Sequence, residues 1–213
     1  MTIRVLLADD HAVMRDGLRA LLAASAGMSV VGEVGNGREA LRRAEELRPD
    51  VVVMDIAMPE LNGIEAAAMI RSRRPGTRIV MLSMHSSSEH VYRAFAAGAA
   101  GYVLKSSAGA EVISAVQTVH LGRRYLSPAL IEAYATAVHD PARPSPLDSL
   151  SARERQVLQL VVEGNSSAEI AVLVQLSPKT VDTYRSRIMQ KLGVSDVPSL
   201  VKFALQHGIT PLA

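Results

Sequence analysis

The sequence predicts an α/β domain, a parallel sheet wound with helices on both faces, followed by a small all-α domain of four helices. Five short runs rich in Val, Ile and Leu alternate with helical patterns over residues 1–122. A proline-dense stretch then interrupts the chain, and no strand-like run follows it. Near-continuous apolarity is what strands buried on both faces require, and strict β–α alternation makes the sheet parallel. The expected organisation is 1–122 for the first domain, 123–146 for a connecting helix and linker, and 147–213 for the second domain.

The five candidate strands are Ile3–Ala8, Val30–Val34, Val51–Asp55, Arg78–Ser83 and Gly101–Leu104. Helical stretches near 13–25, 37–47, 62–73, 87–97 and 109–121 separate and follow them, with Pro49 and Pro75 closing two of these. Ser127-Pro128 opens a further helix running to Val138. The segment His139–Pro146 holds three of the ten prolines, and repeated Xaa-Pro units favour extended chain over helix. Beyond it, Ser151-Ala152-Arg153-Glu154 and Ser166-Ser167-Ala168-Glu169 fit the capping box, in which Ser and Glu satisfy each other's backbone donors. Ser177-Pro178 starts a third helix, and Ser195 or Asp196 a fourth.

The 213 residues are 48% apolar and 21% charged, a globular balance. With no cysteine the chain has no disulfide, thiol nucleophile or cysteine-ligated metal. Acids interrupt MTIRVLLADD too early for a secretory leader, and no stretch approaches the roughly 18 apolar residues that span a bilayer. A cytoplasmic protein without a membrane partner is therefore expected. The net charge of +2 is too weak to name a partner unless it is concentrated somewhere.

In a doubly wound sheet, ligands bind beyond the carboxyl ends of the strands. The predicted strands end in Asp9-Asp10, Asp55, Ser83 and Lys105. Taken singly, each is an ordinary helix cap or loop residue. Together they bring three carboxylates, a hydroxyl and an ammonium into one crevice, a costly arrangement unless a cation joins the carboxylates. Oxygen donors alone suit Mg²⁺, and an Asp beside that ion can attack phosphorus as a nucleophile. His11 and His90 are expected to be surface or capping residues rather than phosphate carriers.

Asp9-Asp10, Met54-Asp55-Ile56-Ala57-Met58-Pro59-Glu60-Leu61-Asn62-Gly63, Ser83 and Gly101-Tyr102-Val103-Leu104-Lys105 resemble a two-component receiver domain over about residues 2–122. The resemblance implies a flavodoxin-like sheet of five strands in the order 2-1-3-4-5. It implies Asp55 as phospho-acceptor from a histidine kinase, and Asp10, Asp55 and the Ala57 carbonyl as Mg²⁺ ligands, with Asp9 acting through water. Ser83 and Lys105 would contact the phosphoryl group, and Tyr102 would be the aromatic switch that turns inward on activation. Ala57 and His85 occupy positions that tune phosphate lifetime in receivers.

In the second domain, helical spacing puts Val181, Tyr184, Ile188 and Leu192 on one face and Lys179, Asp182, Thr183, Ser186, Arg187 and Gln190 on the other. That is how a recognition helix is built, apolar behind and polar in front. Lys179, Arg185, Arg187 and Lys191 against Asp182 concentrate positive charge suited to phosphates. An acid such as Asp182 in the groove is repelled by the phosphates unless it accepts from cytosine N4. Leu150–Leu158, Glu163-Gly164, Glu169-Ile170-Ala171, Ser177-Pro178-Lys179-Thr180-Val181 and Lys191-Leu192-Gly193-Val194 resemble a LuxR-type helix-turn-helix over about 147–208. Receiver plus this module is the architecture of NarL/FixJ-class response regulators. The resemblance makes Asp182, Thr183 and Ser186 candidates for base edges. Lys179, Arg185, Arg187 and Lys191 become candidates for phosphates, with Thr180 in the same DNA-binding set, and the last helix, about 198–206, a dimer face.

The expected function is a phosphorylation-controlled regulator, a homodimer on double-stranded DNA when active, whose receiver covers the recognition helix until phosphorylated. It is not expected to be an enzyme beyond slow loss of its own phosphate. An aspartyl-phosphate phosphohydrolase would need a second acid two residues after the nucleophile, where Ala57 stands. A constitutive DNA binder with a non-switching receiver is the other alternative, opposed by the presence of all five pocket residues.

Overall fold

The computed structural model describes residues 2–138 and 145–209, so most of the proline-dense segment lies outside the described residues. In chain order the elements of the first domain are β1 (Ile3–Ala8), α1 (Ala12–Ala24), β2 (Met28–Val34), α2 (Gly37–Leu47), β3 (Val51–Asp55), α3 (Gly63–Arg73), β4 (Arg78–Ser83), α4 (Ser88–Ala96), β5 (Gly101–Leu104), α5 (Ala108–His120), β6 (Tyr125–Leu126) and α6 (Pro128–Val138). The strands form one parallel sheet in the order β2-β1-β3-β4-β5-β6.

Side chains that alternate along each strand feed two cores. Val5, Leu7, Val53, Val80 and Val103 pack with Leu18 and Leu22 of α1 and Val112 and Val116 of α5. Leu6, Val52, Met54, Ile79 and Met81 pack with Ala40, Ile70, Val91 and Ala94 from α2, α3 and α4. Burial on both faces explains why these strands read as continuous apolar runs.

The sheet has six strands where the sequence predicts five. The addition, β6, is two residues long, too short for any hydrophobic period to show. Its pairing is fixed from outside: Tyr125 N donates to Ala100 O at 3.0 Å, Ser127 N to Tyr102 O at 2.9 Å, and Leu104 N to Ser127 Oγ at 3.1 Å. Helix α6 then folds back on the sheet domain, with Leu130 buried in the second core and Tyr134 against Phe95 at 5.8 Å between ring centroids.

A 3-10 turn (Pro146–Ser149) leads into α7 (Ala152–Val162), α8 (Ser167–Val174), α9 (Pro178–Leu192) and α10 (Val197–Gln206). Both capping boxes form, at Ser151/Glu154 and Ser166/Glu169, while Ser177 and Asp196 cap α9 and α10. Val157, Leu160, Ile170, Val174, Val181, Ile188 and Leu200 close the core of this domain.

The two domains dock through α7. Arg155, Gln159 and Glu163, four residues apart, form a polar stripe on the side facing the first domain. Gln159 is fully buried; its Nε2 donates to Met58 O at 2.8 Å and its Oε1 accepts from Asn62 N at 2.7 Å. Glu163 accepts from Glu60 N at 3.1 Å, and Arg155 Nε lies 2.5 Å from Glu65 Oε1. The end of α10 supplies a second contact, with Gly208 against the rings of His85 and His90. A Cβ there would come within 2.6 Å of His90 Nε2, and its φ is +59°. Helix α9 packs behind α7 within its own domain, so Lys179, Asp182, Thr183, Ser186 and Arg187 remain exposed. The expectation that the receiver covers the recognition helix is therefore corrected: α7 carries the polar groups that match the receiver loops, and α9 does not face them.

Candidate functional site

The carboxyl ends of the strands converge as their order requires. Asp9 and Asp10 follow β1, Asp55 ends β3, Ser83 ends β4 and Lys105 follows β5. Lys105 Nζ stands 2.7 Å from Asp55 Oδ2 and 2.9 Å from Asp9 Oδ2, with all three side chains nearly excluded from water. Burial pushes the Asp55 carboxyl up to about 6, against the pull of Lys105 and with reinforcement from Asp9. For Lys105, burial favours the neutral amine, but the charges and hydrogen bonds of Asp55 and Asp9 outweigh it and raise its pKa. Gly63 lets α3 start against the backbone at the end of β3: a Cβ there would lie 2.0 Å from Asp55 O.

Ligand atoms of Asp9, Asp10, His11 and Asp55 all lie within 4.8 Å of one another. Three carboxylates facing one ammonium leave the pocket acid-rich, and Asp10 Oδ1 is held 2.7 Å from His11 Nδ1. Asp9 Oδ2 and Asp10 Oδ1 each face a single side-chain nitrogen, Lys105 Nζ and His11 Nδ1, and among the described residues have no further donor. Such oxygens fit a hard divalent cation. His11 takes the N-cap position of α1 without capping it through its side chain.

Ser83 Oγ accepts from His85 N at 2.9 Å, and Tyr102 OH donates to His85 O at 2.8 Å. Tyr102 is fully buried, turned into the protein, and burial raises its phenol to about 12. The His85 ring stacks on His90, 4.4 Å between centroids. His90 bridges Ser87 Oγ at 2.7 Å and His207 O at 3.2 Å. It is 5% exposed, so the expectation of a surface or capping residue is corrected: it is buried where the two domains meet.

On the second domain, Lys179, Thr183 and Arg187 line a shallow recess along α9 with Ser177, Thr180 and Tyr184. Two of the candidate cations are already engaged within the domain. Lys191 Nζ lies 2.7 Å from the buried Glu154 carboxylate, and Arg185 donates to Ser167 Oγ at 3.0 Å. Sequence reasoning missed the α7 stripe, because polar residues at four-residue spacing on an otherwise apolar helix look like a solvated face. Its trace is there only in retrospect, in Gln156 and Gln159 amid an apolar run.

A sheet whose strand ends gather an acidic pocket and a lysine, joined to a capped helix-turn-helix, is the architecture of a phosphorylation-responsive DNA-binding regulator. The response regulator receiver domain family matches residues 5–117, and the family of bacterial regulatory proteins of the luxR type matches 148–204. The response regulator GacA of Pseudomonas viridiflava is 39% identical over 208 residues, covering 97% of each chain. A solved LuxR-family two-component response regulator from Aurantimonas sp. SI85-9A1 is 40% identical, with a TM-score of 0.63 over 66% of this chain and 100% of that one. The two-component response regulator RcsB, solved as a DNA complex, is 25% identical with a TM-score of 0.60 over 96% of this chain and 98% of that one. The protein belongs to the two-component response regulators with a receiver and a LuxR-type DNA-binding domain.

Proposed function

We propose that the protein accepts a phosphoryl group on Asp55 from a sensor histidine kinase and thereby changes how it engages promoter DNA as a homodimer. The observation that carries this reading is the pocket itself, Asp55 gripped by Lys105 with Asp9, Asp10 and Ser83 around it. An Asp55 oxygen attacks phosphorus, the bond to the kinase imidazole breaks, and the imidazole leaves with a proton recovered from solvent. Asp10, Asp55 and the Ala57 carbonyl are the groups that would hold Mg²⁺, with Asp9 assisting through water. When bound, the ion neutralises charge on the phosphoryl oxygens. Lys105 and Ser83 do the same from the protein side.

The coupling runs through shared backbone. Ala57–Asn62 leaves the acceptor and is the segment that Gln159 and Glu163 hold. His85, hydrogen-bonded to Ser83, touches Gly208. A phosphoryl group that repositions Ser83 and the loop after Asp55 strains both contacts, freeing the second domain to pair on a two-half-site operator, with α10 as the dimer face.

Footprinting with and without a beryllofluoride analogue tests this. The wild-type chain is expected to protect its operator at lower concentration when loaded, and Asp55→Asn to lose that response. Equal, analogue-insensitive binding by both would rule the switch out.

A further inference from the structure

We infer that Asp182 reads a cytosine in each half-site, because α9 presents a strip of hydrogen-bond acceptors at its centre. This rests on the DNA-binding reading above and specifies what that helix recognises. Thr183 Oγ1 donates its proton back to Lys179 O at 3.0 Å, and Ser186 Oγ donates to Asp182 O at 3.1 Å. With their protons turned into the helix, both hydroxyls offer lone pairs outward. Asp182, one turn before Ser186 on the same face, is a carboxylate, an acceptor only. Lys179 and Arg187, exposed donors, line the recess beside them.

The carboxylate is also fixed in place from a second helix. Ser167 Oγ donates to Asp182 Oδ1 at 2.6 Å, and Arg185 donates to Ser167 Oγ at 3.0 Å. This relay from Arg185 through Ser167 occupies one carboxylate oxygen and leaves Oδ2 for a ligand. It also gives the acid a nearby cation that offsets repulsion from the DNA backbone. A preset acceptor loses less conformational freedom on binding than a free side chain.

The major-groove code then decides the base. Guanine shows N7 and O6 and thymine O4, acceptors that repel a carboxylate. Adenine N6–H₂ lies between its own N7 and the paired thymine O4, whereas cytosine N4–H₂ has an acceptor, the paired guanine O6, on one side only. Cytosine is the base that a lone carboxylate oxygen favours.

The test is selection from a randomised duplex pool by the full-length, beryllofluoride-loaded protein, comparing wild type with Asp182→Ala, Asp182→Asn and Ser167→Ala. Wild type is expected to select a C·G pair at one fixed position per half-site, preferred roughly fivefold to a hundredfold. Asp182→Ala should lose the preference at that position alone, and Asp182→Asn should turn it toward adenine, the partner of a side-chain amide. Ser167→Ala, with the acid retained but unfixed, should keep cytosine at reduced preference. An identical motif for wild type and Asp182→Ala overturns the inference and leaves DNA binding intact. Failure of the wild type to retain any duplex overturns the DNA-binding reading and this one with it.

Discussion

His90 shows how much a single side chain's meaning depends on its surroundings. Burial, with help from His85 and Arg93, lowers its pKa from the usual imidazole range to about 4, so at neutral pH it is folded in as the neutral ring. The unfolded chain binds a proton near pH 6.5, the folded chain only near pH 4. Its contribution to stability is therefore complete above about pH 6.5 and is lost as pH falls from there toward 4. Thermal unfolding across that window should fall more steeply for wild type than for His90→Asn; parallel curves would refute the assignment. Lys191 makes the complementary case. Its ammonium caps the charge of Glu154, which is 4% exposed and serves the capping box of α7. Removing it by Lys191→Ala leaves a buried carboxylate without its cation. That should cost roughly 1–2 kcal/mol, below a fully buried pair because the lysine is partly solvated. Denaturant unfolding of the variant measures it, and an unchanged midpoint would show that the pair is energetically idle.

At the scale of elements, α7 serves two masters. Its apolar face, Val157, Leu158, Leu160 and Val161, closes the core of the second domain, and its Arg155–Gln159–Glu163 stripe grips the receiver. Gln159 stands at the centre because an amide can both donate and accept. It meets one carbonyl and one N–H of the same loop, which neither Leu nor Glu could do. Gln159→Ala should leave each domain folded while unpairing Met58 O and Asn62 N, weakening docking by roughly 2–3 kcal/mol. Small-angle scattering should then show a larger radius of gyration than wild type, and equal radii would place the docking energy elsewhere. The stripe was not legible in the sequence, because its partners lie about a hundred residues away in loops whose position the sheet fixes. The caps of α7 to α10 were legible, since capping is settled within four residues.

For the whole molecule, docking leaves the polar face of α9 open and engages α7 and the end of α10. On the function proposed above, control by phosphorylation concerns where the DNA-binding domain is held more than whether its reading face is covered. Among the described residues no helix is long and apolar enough to cross a membrane.

The sequence by itself determined the parallel sheet, the gathering of Asp9, Asp10, Asp55, Ser83 and Lys105 at its carboxyl edge, and the helix-turn-helix. Each of these follows from local periodicity, from capping within a few residues, or from the rule that strand ends share an edge. The tertiary structure decided the sixth strand, the inward Tyr102, the burial of His90, the intramolecular ties of Arg185 and Lys191, and the face on which the domains meet. Those depend on contacts between residues far apart in the chain, where a polar side chain facing water and one facing a partner have the same sequence pattern.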